Sequence, residues 1–380
     1  MARCDVAVIG LGAMGSAAAY HLARRGKRVI AVERFEPGHD RGSSHGESRI
    51  IRLAYHEHPS YVPLLRRAYE NWRALERDTG AQLLTITGIL EAGHPGSPAV
   101  QGSLEASRLH DLPHEVLDGT AISRRFPAFR LPANWRGIFQ PDGGFLRPEL
   151  AIRVLVDAAR THGAEIRTGE RVLGIDAPGG GEGGVRIRTD GGTIEAGSVV
   201  VAAGAWIADL VPLLRPHLRI TRQVLGWFAP REPELFAPER CPVFLIEPEE
   251  DSCYGFPDFA GTGVKVASHR EGRTLAGGDS LAQDGDAEDE ARIRRTLARY
   301  IPAADGPLRK MRTCMYTRTP DEDFAVDLHP DDPRVVIASP CSGHGFKFAS
   351  VMGEILADLS TEGTTRFDIS RFRLDRLTAR

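Results

Sequence analysis

The N-terminal part of the chain shows an apolar run, a glycine-rich turn and a helix in succession. A β-prone apolar run at residues 5–9 precedes the turn, and a helix-like run at 16–25 follows it and ends at Gly26. A second apolar run occupies residues 29–32. Strand, turn, helix and strand together fill about 30 residues, which is typical of a nucleotide-binding βαβ unit.

Helical periodicity and a further strand–turn–helix unit appear elsewhere in the chain. Residues 63–79 predict a helix that Gly80 ends, with one apolar face formed by Leu64, Leu65, Ala68, Trp72 and Leu75. Near the C-terminus, a strand at 334–339, a turn at 340–345 and a helix at 346–359 follow one another. Both ends therefore have α/β character.

The middle of the chain is richer in strands. A helix at 148–162 is followed by a buried strand at 198–204, and residues 220–278 alternate as antiparallel strands do. Residues 286–302 predict an amphipathic helix with a solvated acidic start. Short β segments lie at 165–168, 171–176, 185–189 and 193–196, with a glycine-rich hairpin loop at 178–184.

This order predicts an α/β protein (α+β in its two-domain organisation) with a discontinuous nucleotide-binding domain of the Rossmann type. A second domain, built on an antiparallel sheet and carrying the substrate site, is inserted into it. The nucleotide-binding domain is expected at residues 1–85, 144–215 and 310–380, and the substrate domain at 86–143 and 216–309.

Composition excludes several classes of protein. The chain has 380 residues, a formal net charge of −3 and no legible basic face, which argues against a nucleic-acid partner. No apolar run is long enough to cross a membrane, and the start lacks the features of a secretory signal. Five cysteines, none in a metal-binding spacing, do not suit a disulfide framework. We therefore expect a cytoplasmic monomer.

The turn after the first strand carries Gly10, Gly12 and Gly15. Glycines at this spacing let the backbone approach a pyrophosphate at a helix N-terminus, where free amides and the helix dipole favour anions. Glu33 ends the second strand and can accept hydrogen bonds from a ribose hydroxyl, which argues against the 2′-phosphate of NADP. The motif alone leaves NAD and FAD open, and a tight turn without a ligand is the less favoured alternative.

Two other segments concentrate polar residues. His45, Arg49 and Arg52 lie within eight positions, and the two arginines could share a helix face and bind a carboxylate. Surface salt bridges are the simpler alternative for them. Lys265 and His269 face one side of an alternating strand, near Tyr254, where they could line a cavity. A solvated sheet face is the alternative there.

The C-terminal turn contains Ser342, Gly343 and Gly345, followed by Lys347 in the first helical turn. A lysine at that point opposes the helix dipole and suggests an anionic ligand nearby. The His-Glu-His run at 56–58 is a weak metal signal without a third ligand, so no metal is expected. The usual hydrolase and kinase motifs are missing from the sequence.

Several segments in order resemble the monomeric sarcosine oxidase and N-methyltryptophan oxidase family of flavoprotein amine oxidases. They are GSSHGESRIIR at 42–52, YGFP at 254–257 with Lys265 and His269, CMYTRTPDEDF at 314–324 and SGHGFKFAS at 342–350. The resemblance runs nearly end to end. It implies FAD as the cofactor, a sulfur link from Cys314 to the 8α-methyl carbon of the flavin, and oxidation of secondary N-methyl or cyclic amino acids.

The resemblance also implies roles for individual residues. Arg52 and Lys347 would hold the substrate carboxylate, and Tyr254 and His269 would line the site around the amine. Lys265 would promote reduction of oxygen to hydrogen peroxide. His45 and Arg49 would lie beside the flavin ring and assist its attachment. The cofactor contacts would come from Gly10, Gly12, Gly15, Glu33, Ser43, Arg49, Cys314, Gly343, Gly345 and Lys347.

Departures from the family pattern bear on the substrate more than on the reaction. Leu53 stands where the family carries histidine, and Ser48 where it carries threonine. Pro340 and Cys341 replace a glycine and a bulky apolar residue. Cys341 is the rival of Cys314 for the flavin link, because it precedes the second helix start. The alternatives to an oxidase are a flavin dehydrogenase with another electron acceptor and a non-catalytic NAD-binding module.

Overall fold

A computed structural model describes residues 2–177, 183–250, 252–269 and 272–378. The strands in chain order are β1 (Ala2–Ile9), β2 (Val29–Val32), β3 (Arg49–Ile51), β4 (Leu84–Ile86), β5 (Ile89–Gly93), β6 (Glu115–Asp118), β7 (Arg136–Gln140), β8 (Gly144–Leu146), β9 (Glu165–Arg167), β10 (Val172–Asp176), β11 (Val185–Thr189), β12 (Gly192–Val201), β13 (Arg219–Phe228), β14 (Val243–Glu247), β15 (Cys253–Phe256), β16 (Val264–Ser268), β17 (Leu308–Arg318), β18 (Ala325–His329) and β19 (Asp332–Ser339).

The α-helices are α1 (Ala13–Arg24), α2 (Val62–Thr79), α3 (Pro98–Leu109), α4 (Gly119–Arg125), α5 (Pro148–Thr161), α6 (Ile207–Leu210), α7 (Ala287–Tyr300), α8 (Ala349–Glu362) and α9 (Asp375–Thr378). Short 3₁₀ segments lie at Pro59–Tyr61, Gly204–Trp206, Pro212–His217, Pro233–Phe236, Gly278–Ser280, Pro302–Ala304, Phe346–Phe348 and Ser370–Phe372. No α-helix of the described residues is long and apolar enough to span a bilayer.

The first sheet has a parallel centre, with neighbours in the order β9, β2, β1, β12 and β19. β10, β11 and the first half of β12 extend it as an antiparallel meander, and β18 pairs antiparallel with β19. Of the predicted hairpin loop between β10 and β11, residues 178–182 lie outside the described residues. Helices α1, α2, α5 and α8 share one apolar core against this sheet.

The glycine-rich turn leads directly into α1, which begins at Ala13 and not at Ser16. Gly10 adopts a left-handed conformation with φ of 87°, which a side chain would strain. A Cβ atom on Gly15 would stand 1.7 Å from the carbonyl oxygen of Gly10, so only glycine fits there. The predicted nucleotide-binding βαβ unit is thus present, with a tighter turn than the sequence pattern suggested.

The second sheet has the order β17, β13, β16, β15, β14, β5, β7 and β6. Its neighbouring strands are antiparallel except for β14 and β5, which run parallel. A short third sheet joins β3, β8 and β4. The predicted α/β class with a largely antiparallel second sheet is confirmed.

Two local predictions are wrong. Arg49 does not lie on a helix with Arg52: it opens β3, pairs with Leu146 of β8, and Arg52 follows the strand. The acidic start of α7 is not wholly solvated, because Asp289 is buried and forms an ion pair with Arg222 at 2.6 Å. Three-residue spacing and acidic composition did not reveal these tertiary partners.

The division into two domains remains a proposal. The first-sheet strands fall within 1–85, 144–215 and 310–380, and the second-sheet strands fall within 86–143 and 216–309, apart from β17. β17 crosses the expected boundary at 310 and pairs with β13 up to its last residue, Arg318. We therefore propose that the last boundary follows Arg318.

Candidate active site

A first cleft lies where the glycine-rich turn meets the carboxyl ends of the parallel strands. It contains about 1160 Å³ of empty space, counting the part that is open to solvent. Gly10 and Gly12 line it, together with Glu33 at the end of β2. Gly12 precedes α1 and no side chain caps the helix. The uncapped amides of a 12-residue helix therefore lie at a cleft that can hold an anion.

Gly12 provides a direct test of fit to a dinucleotide. A Cβ atom added there would meet no protein atom within 4 Å, so nothing in the fold itself demands glycine. Open space in front of the helix amides is what close approach of a pyrophosphate needs. The first cleft therefore fits the pyrophosphate of a dinucleotide such as FAD.

Glu33 has its carboxylate fixed by the backbone. Its Oε2 accepts a hydrogen bond from the amide of Leu11 at 2.6 Å, and its Oε1 accepts one from the amide of Phe35 at 2.9 Å. Each carboxylate oxygen keeps further acceptor capacity toward the cleft. The expected ribose contact of Glu33 stays a prediction, in an orientation that these two bonds fix.

A second cleft continues from the first, with about 870 Å³ of empty space on the same measure. Both clefts are lined by Ala13, Met14, Ser43, Ser44 and Cys341. An elongated ligand can therefore extend from one cleft into the other. The structure brings together in the second cleft these residues predicted from the sequence: Ser43, Arg49, Arg52, Tyr254, His269, Gly343, Gly345 and Lys347.

Arg52 is held in the second cleft by two acids, the half-buried Glu57 and the buried Glu91. Its Nη2 donates to Oε2 of Glu57 at 2.7 Å, and its Nε lies 3.1 Å from Oε1 of Glu91. Burial alone would lower the pKa of Arg52, but the two acids raise it, so the guanidinium stays charged. The structure records no hydrogen bond from Nη1 to a described residue. The alternative of a surface salt bridge is wrong, because Arg52 is 5% exposed.

Lys347 lies in the 3₁₀ segment before α8, not in the first turn of that helix. Its Nζ donates to the carbonyl oxygen of His344 at 2.8 Å and lies 5.1 Å from the ring centre of Tyr55. Burial, and then the charge of Arg52, lower the pKa of Lys347 to about 7. This lysine therefore gives up its proton far more readily than an exposed lysine does.

Tyr254 and His269 stand beside each other in the lining of the second cleft. Their rings meet edge to face with centres 5.8 Å apart, and the Tyr316 hydroxyl donates to the Tyr254 oxygen at 3.4 Å. Burial lowers the pKa of His269 to about 3 and raises that of Tyr254 to about 12. Both rings are neutral at pH 7. The Nδ1 atom of His269 is buried and has no partner among the described residues.

His45 lies in the segment between β2 and β3, and Arg49 opens β3. Arg49 lines the second cleft, and its guanidinium donates to the carbonyl oxygens of Ser43 at 2.8 Å and Ser48 at 2.9 Å. His45 does not line either cleft but is buried, and its Nε2 lacks a partner within the described residues. Burial and Arg49 lower the pKa of His45 to about 4. This histidine is therefore neutral.

Lys265 is the most enclosed of the predicted cations, at 2% exposure, so a solvated sheet face is wrong. Its Nζ donates to the carbonyl oxygens of Gly46 and Ser48, both at 2.7 Å, and to Ser48 Oγ at 3.0 Å. Burial, and then Arg49, lower its pKa well below the ordinary value. Three oxygen acceptors nevertheless match the three N–H donors of the ammonium form. Lys265 does not line the second cleft.

The two rival cysteines differ in position. Cys314 is 1% exposed and shares one face of β17 with Tyr316, which lines the second cleft. Burial raises the pKa of Cys314, while Arg49 and Lys265 act to lower it. Cys341 lines both clefts where they join, and burial raises its pKa to about 11. The positive charges thus lie near Cys314.

Sequence reasoning missed the acids that hold Arg52. Glu57 was interpreted with its neighbouring histidines as a weak metal signal, and the described residues contain no group suited to a metal. Burial alone would raise the pKa of Glu57, but Arg52 keeps it well below the ordinary value. The sequence offered one signal of this pairing, which is that Glu57 follows Arg52 by five positions. Glu91 lies on β5 and could not be paired from sequence.

The departures from the family pattern fall at different places. Pro340 and Cys341 line the second cleft. Leu53 does not line it, and packs partly buried against the core of the first sheet. Ser48 accepts the hydrogen bond from Lys265. The replacements at the start of the C-terminal turn are therefore those that can alter the shape of the site.

A first cleft that fits a dinucleotide continues into a second cleft with cations and neutral rings, and this is the arrangement that an oxidoreductase with a dinucleotide cofactor requires. The chain belongs to the FAD dependent oxidoreductase family, whose model matches residues 5–359. It is 41% identical over 377 residues to monomeric sarcosine oxidase of Bacillus sp. (strain NS-129), covering 98% of this chain and 96% of that protein. The resemblance inferred from the sequence is thereby confirmed.

Other similar proteins extend this result. N-methyl-L-tryptophan oxidase of Yersinia pestis (strain Pestoides F) is 35% identical over 374 residues, which cover 98% of this chain and 99% of that protein. The solved structure of NikD, an unusual amino acid oxidase, matches with a TM-score of 0.86 at 27% identity, over 98% of each chain. L-proline dehydrogenase from P. horikoshii matches with a TM-score of 0.86 at 20% identity, covering 100% of this chain and 98% of that one, which shows the fold alone.

Proposed function

We propose that this enzyme oxidises a secondary amino acid, N-methyl or cyclic, to an imine, with oxygen reduced to hydrogen peroxide. The substrate gives up a hydride equivalent from carbon and a proton from nitrogen, and water then hydrolyses the imine. The observation that carries the proposal is the second cleft, where Arg52 and Lys347 line one chamber with Tyr254 and His269. The oxidases among its relatives support the same reaction.

The substrate carboxylate is bound by the two cations. The charges of Glu57 and Glu91 are fully offset by Arg52 and Lys347 only when Lys347 is protonated, so a substrate carboxylate is repelled less by that form of the cluster. Nη1 of Arg52 and Nζ of Lys347 are the donors offered to the carboxylate. Charge-assisted hydrogen bonds of this type fix orientation as well as affinity.

Tyr254 and His269 receive the amine end of the substrate. Because both rings are neutral, they do not stabilise an ammonium ion as a carboxylate would, and the free amine is the form that can be oxidised. The unpartnered Nδ1 of His269 is a hydrogen-bonding group available to the amine. These residues therefore position the carbon that is oxidised and keep the nitrogen unprotonated.

FAD, when bound, accepts two electrons from the substrate and passes them to oxygen. Gly10, Gly12 and Gly15 would admit its pyrophosphate, and Glu33 would accept from a ribose hydroxyl. Ser43, Arg49, Gly343 and Gly345 would hold the part of the cofactor that reaches the second cleft. Lys347 belongs to the same wall, and His45 supports the segment that carries Arg49.

Cys314 forms the covalent link to the cofactor in this proposal. The thiol and the 8α-methyl carbon would each give up a proton, and the thiolate would supply the electron pair of the sulfur–carbon bond. The flavin would be left reduced by two electrons, which oxygen would accept. Arg49 and Lys265 favour the thiolate, which is the attacking species. Cys341 lacks such neighbours.

The link is tested by acid precipitation of the holoenzyme. Yellow colour should stay with the polypeptide in wild type and in Cys341→Ser, and should be released in Cys314→Ser. Peptide mapping then identifies the labelled fragment. A flavin-bearing peptide that contains Cys341, or full release of flavin from wild type, contradicts the assignment.

The reaction is tested by anaerobic mixing with N-methyl and cyclic amino acids. Flavin absorbance should bleach with these substrates, and air should then restore it with one peroxide formed per turnover. The matched control is a secondary amine of equal size without a carboxylate. If no secondary amino acid bleaches the flavin, the proposal is wrong. Monomeric state and cytoplasmic location stay predictions.

A further inference from the structure

His56, the first residue of the His-Glu-His run, lines the second cleft together with Arg52 and Glu57. It is half-buried, and it lies on the loop between β3 and the 3₁₀ segment that begins at Pro59. His58, two positions later, lines neither the first nor the second cleft. Since no group of ligands in the described part of the chain suits a metal, His56 requires a different explanation.

The Nδ1 atom of His56 is a hydrogen-bond acceptor. It lies 2.9 Å from Nη2 of Arg52, and a guanidinium nitrogen can only donate. Nη2 carries two hydrogens, which suffice for Glu57 and His56. Oε1 of Glu91 is 3.3 Å from Nδ1, but it also lies 3.1 Å from Nε of Arg52 and does not require a proton from the histidine. The imidazole proton is therefore on Nε2, from which the structure records no hydrogen bond to a described residue.

His56 is close to both ends of the proposed substrate site. At the carboxylate end, it contacts the guanidinium of Arg52. At the amine end, it acts electrostatically on His269, because burial first and then His56 lower the pKa of that ring. A donor on His56 therefore lies near the place where the carboxylate and the amine of one amino acid meet.

We propose that His56 is a specificity-determining residue that donates a hydrogen bond from Nε2 to the substrate carboxylate. This inference rests on the proposed function, because it adds a third donor beside Nη1 of Arg52 and Nζ of Lys347. A carboxylate has two oxygens with about four lone-pair sites and can accept from all three donors, whereas a carboxamide offers one oxygen. Hydrogen bonds to a charged acceptor are also the stronger ones. His56 therefore favours an amino acid over its amide.

Two substitutions separate the roles of the two nitrogen atoms of His56. In His56→Gln, the longer amide can place an N–H group where Nε2 lies. In His56→Asn, the shorter amide keeps an oxygen acceptor for Arg52 near Nδ1, but it does not reach as far as Nε2. His58→Asn is the matched control on the same loop. Acetate and acetamide are the probes, because they bind without turnover, and flavin difference spectra of the holoenzyme at one pH measure their dissociation constants.

Acetate should bind to His56→Gln and His58→Asn about as tightly as to wild type, and about tenfold more weakly to His56→Asn. Acetamide should bind weakly to all four proteins, without this difference. The assignment is overturned if wild type does not bind acetate, if His56→Asn binds it as wild type does, or if His56→Gln loses as much affinity as His56→Asn.

The position of the proton is tested in the wild-type protein itself. Nitrogen-15 NMR of the imidazole rings reports which nitrogen carries the proton, and the signal that is missing from a His56 variant belongs to His56. An Nε2–H form whose signal shifts with acetate is expected, and an Nδ1–H form overturns the proposal. If acetate binds as expected but no secondary amino acid bleaches the flavin, the proposed oxidation fails while the role of His56 in anion binding stands.

Discussion

The first and second clefts differ in the groups that they offer to a ligand. The first uses backbone: glycines at close spacing and uncapped amides at the start of α1. The second uses side chains from separate places, among them Arg52 after β3, Tyr254 on β15 and Lys347 before α8. A site formed by backbone amides accepts ligands of few shapes, and it requires only a few residue types, mainly glycine, in the sequence. A side-chain site depends on charges that distant segments must balance.

Because of this difference, we expect mutations in the two clefts to have different effects on ligand binding and on protein stability. In the first, an added methyl group acts through sterics and can be tolerated by the protein while excluding the ligand. In the second, removal of one charge leaves its buried partners uncompensated. The effects of charge removal are therefore expected to be larger, and to reach the stability of the whole protein.

The largest effect is expected for Arg52→Ala. It leaves Glu57 and Glu91 without their common cation, and removal of one partner of a buried ion pair costs about 3–5 kcal/mol. The free energy of unfolding, measured by urea denaturation, should fall by this amount. An amino acid substrate should also bind more weakly, while a neutral amine without a carboxylate should not.

The matched control replaces all three charges together. Arg52→Met combined with Glu57→Gln and Glu91→Gln should recover much of the lost stability, because no unpaired ion remains. It should not recover carboxylate binding. If Arg52→Ala has the stability of wild type, the cluster of Arg52, Glu57 and Glu91 is more hydrated than its burial indicates. If amino acids and neutral amines lose affinity equally, Arg52 has a role other than binding the substrate carboxylate.

The next largest effect is expected for Lys265→Met, which leaves the second cleft untouched. The family resemblance assigns Lys265 to the reaction with oxygen, so loss of its charge should slow reoxidation by about 10²–10³-fold. Flavin reduction by substrate should be spared. Lys310→Met is the control, since Lys310 lies near Trp227 on the same sheet face but pairs with Glu47 at a partly exposed position. Stopped-flow absorbance separates the half-reactions, and collapsed reduction with normal reoxidation would make Lys265 a substrate residue.

Sequence patterns predicted the backbone site more completely than the side-chain site. Glycine spacing fixes a local turn, and the periodicity of α2 predicted its buried face, because both depend on neighbouring residues. Arg49 and Arg52 were assigned to a helix face because a three-residue spacing does not identify the β8 partner. The pairing of Arg52 with Glu91 spans 39 positions, and no local pattern encodes it.

Lys265 and His269 show the same limit within one strand segment. Their shared parity was evident from the alternation, and the structure keeps them on one side of the sheet. His269 lines the second cleft, whereas Lys265 does not. This difference depends on where residues 43–49 cross the shared face of the sheet, which is a tertiary property. Likewise, the burial of Asp289 follows from Arg222 on β13 and not from the composition of α7.

A smaller effect, confined to the first cleft, is expected for Gly12→Ala. The new methyl group meets no protein atom, so the apoprotein should lose no more than about 1 kcal/mol through a poorer helix cap. FAD affinity should fall by about 1–3 kcal/mol, since the methyl group overpacks the ligand site. Gly15→Ala is the contrast, because its methyl group would collide with Gly10 and destabilise the apoprotein. Titration with FAD in a Cys314→Ser background measures the FAD affinity of both glycine variants. Unchanged affinity in Gly12→Ala would contradict a pyrophosphate at this turn.

The smallest effect is a pH dependence that belongs to the second cleft alone. Lys347 has a pKa lowered to about 7 in the free protein, so it loses its charge as pH rises above that value. A carboxylate binds the protonated form, and the apparent dissociation constant of acetate, which has no amine to titrate, should rise by up to tenfold per pH unit above pH 7. Arg52 stays charged in this range and cannot produce the dependence. Lys347→Met should bind acetate weakly and with no such slope. Flavin difference spectra across pH 6–9 measure it, and an equal slope in Lys347→Met would assign the titration to another group.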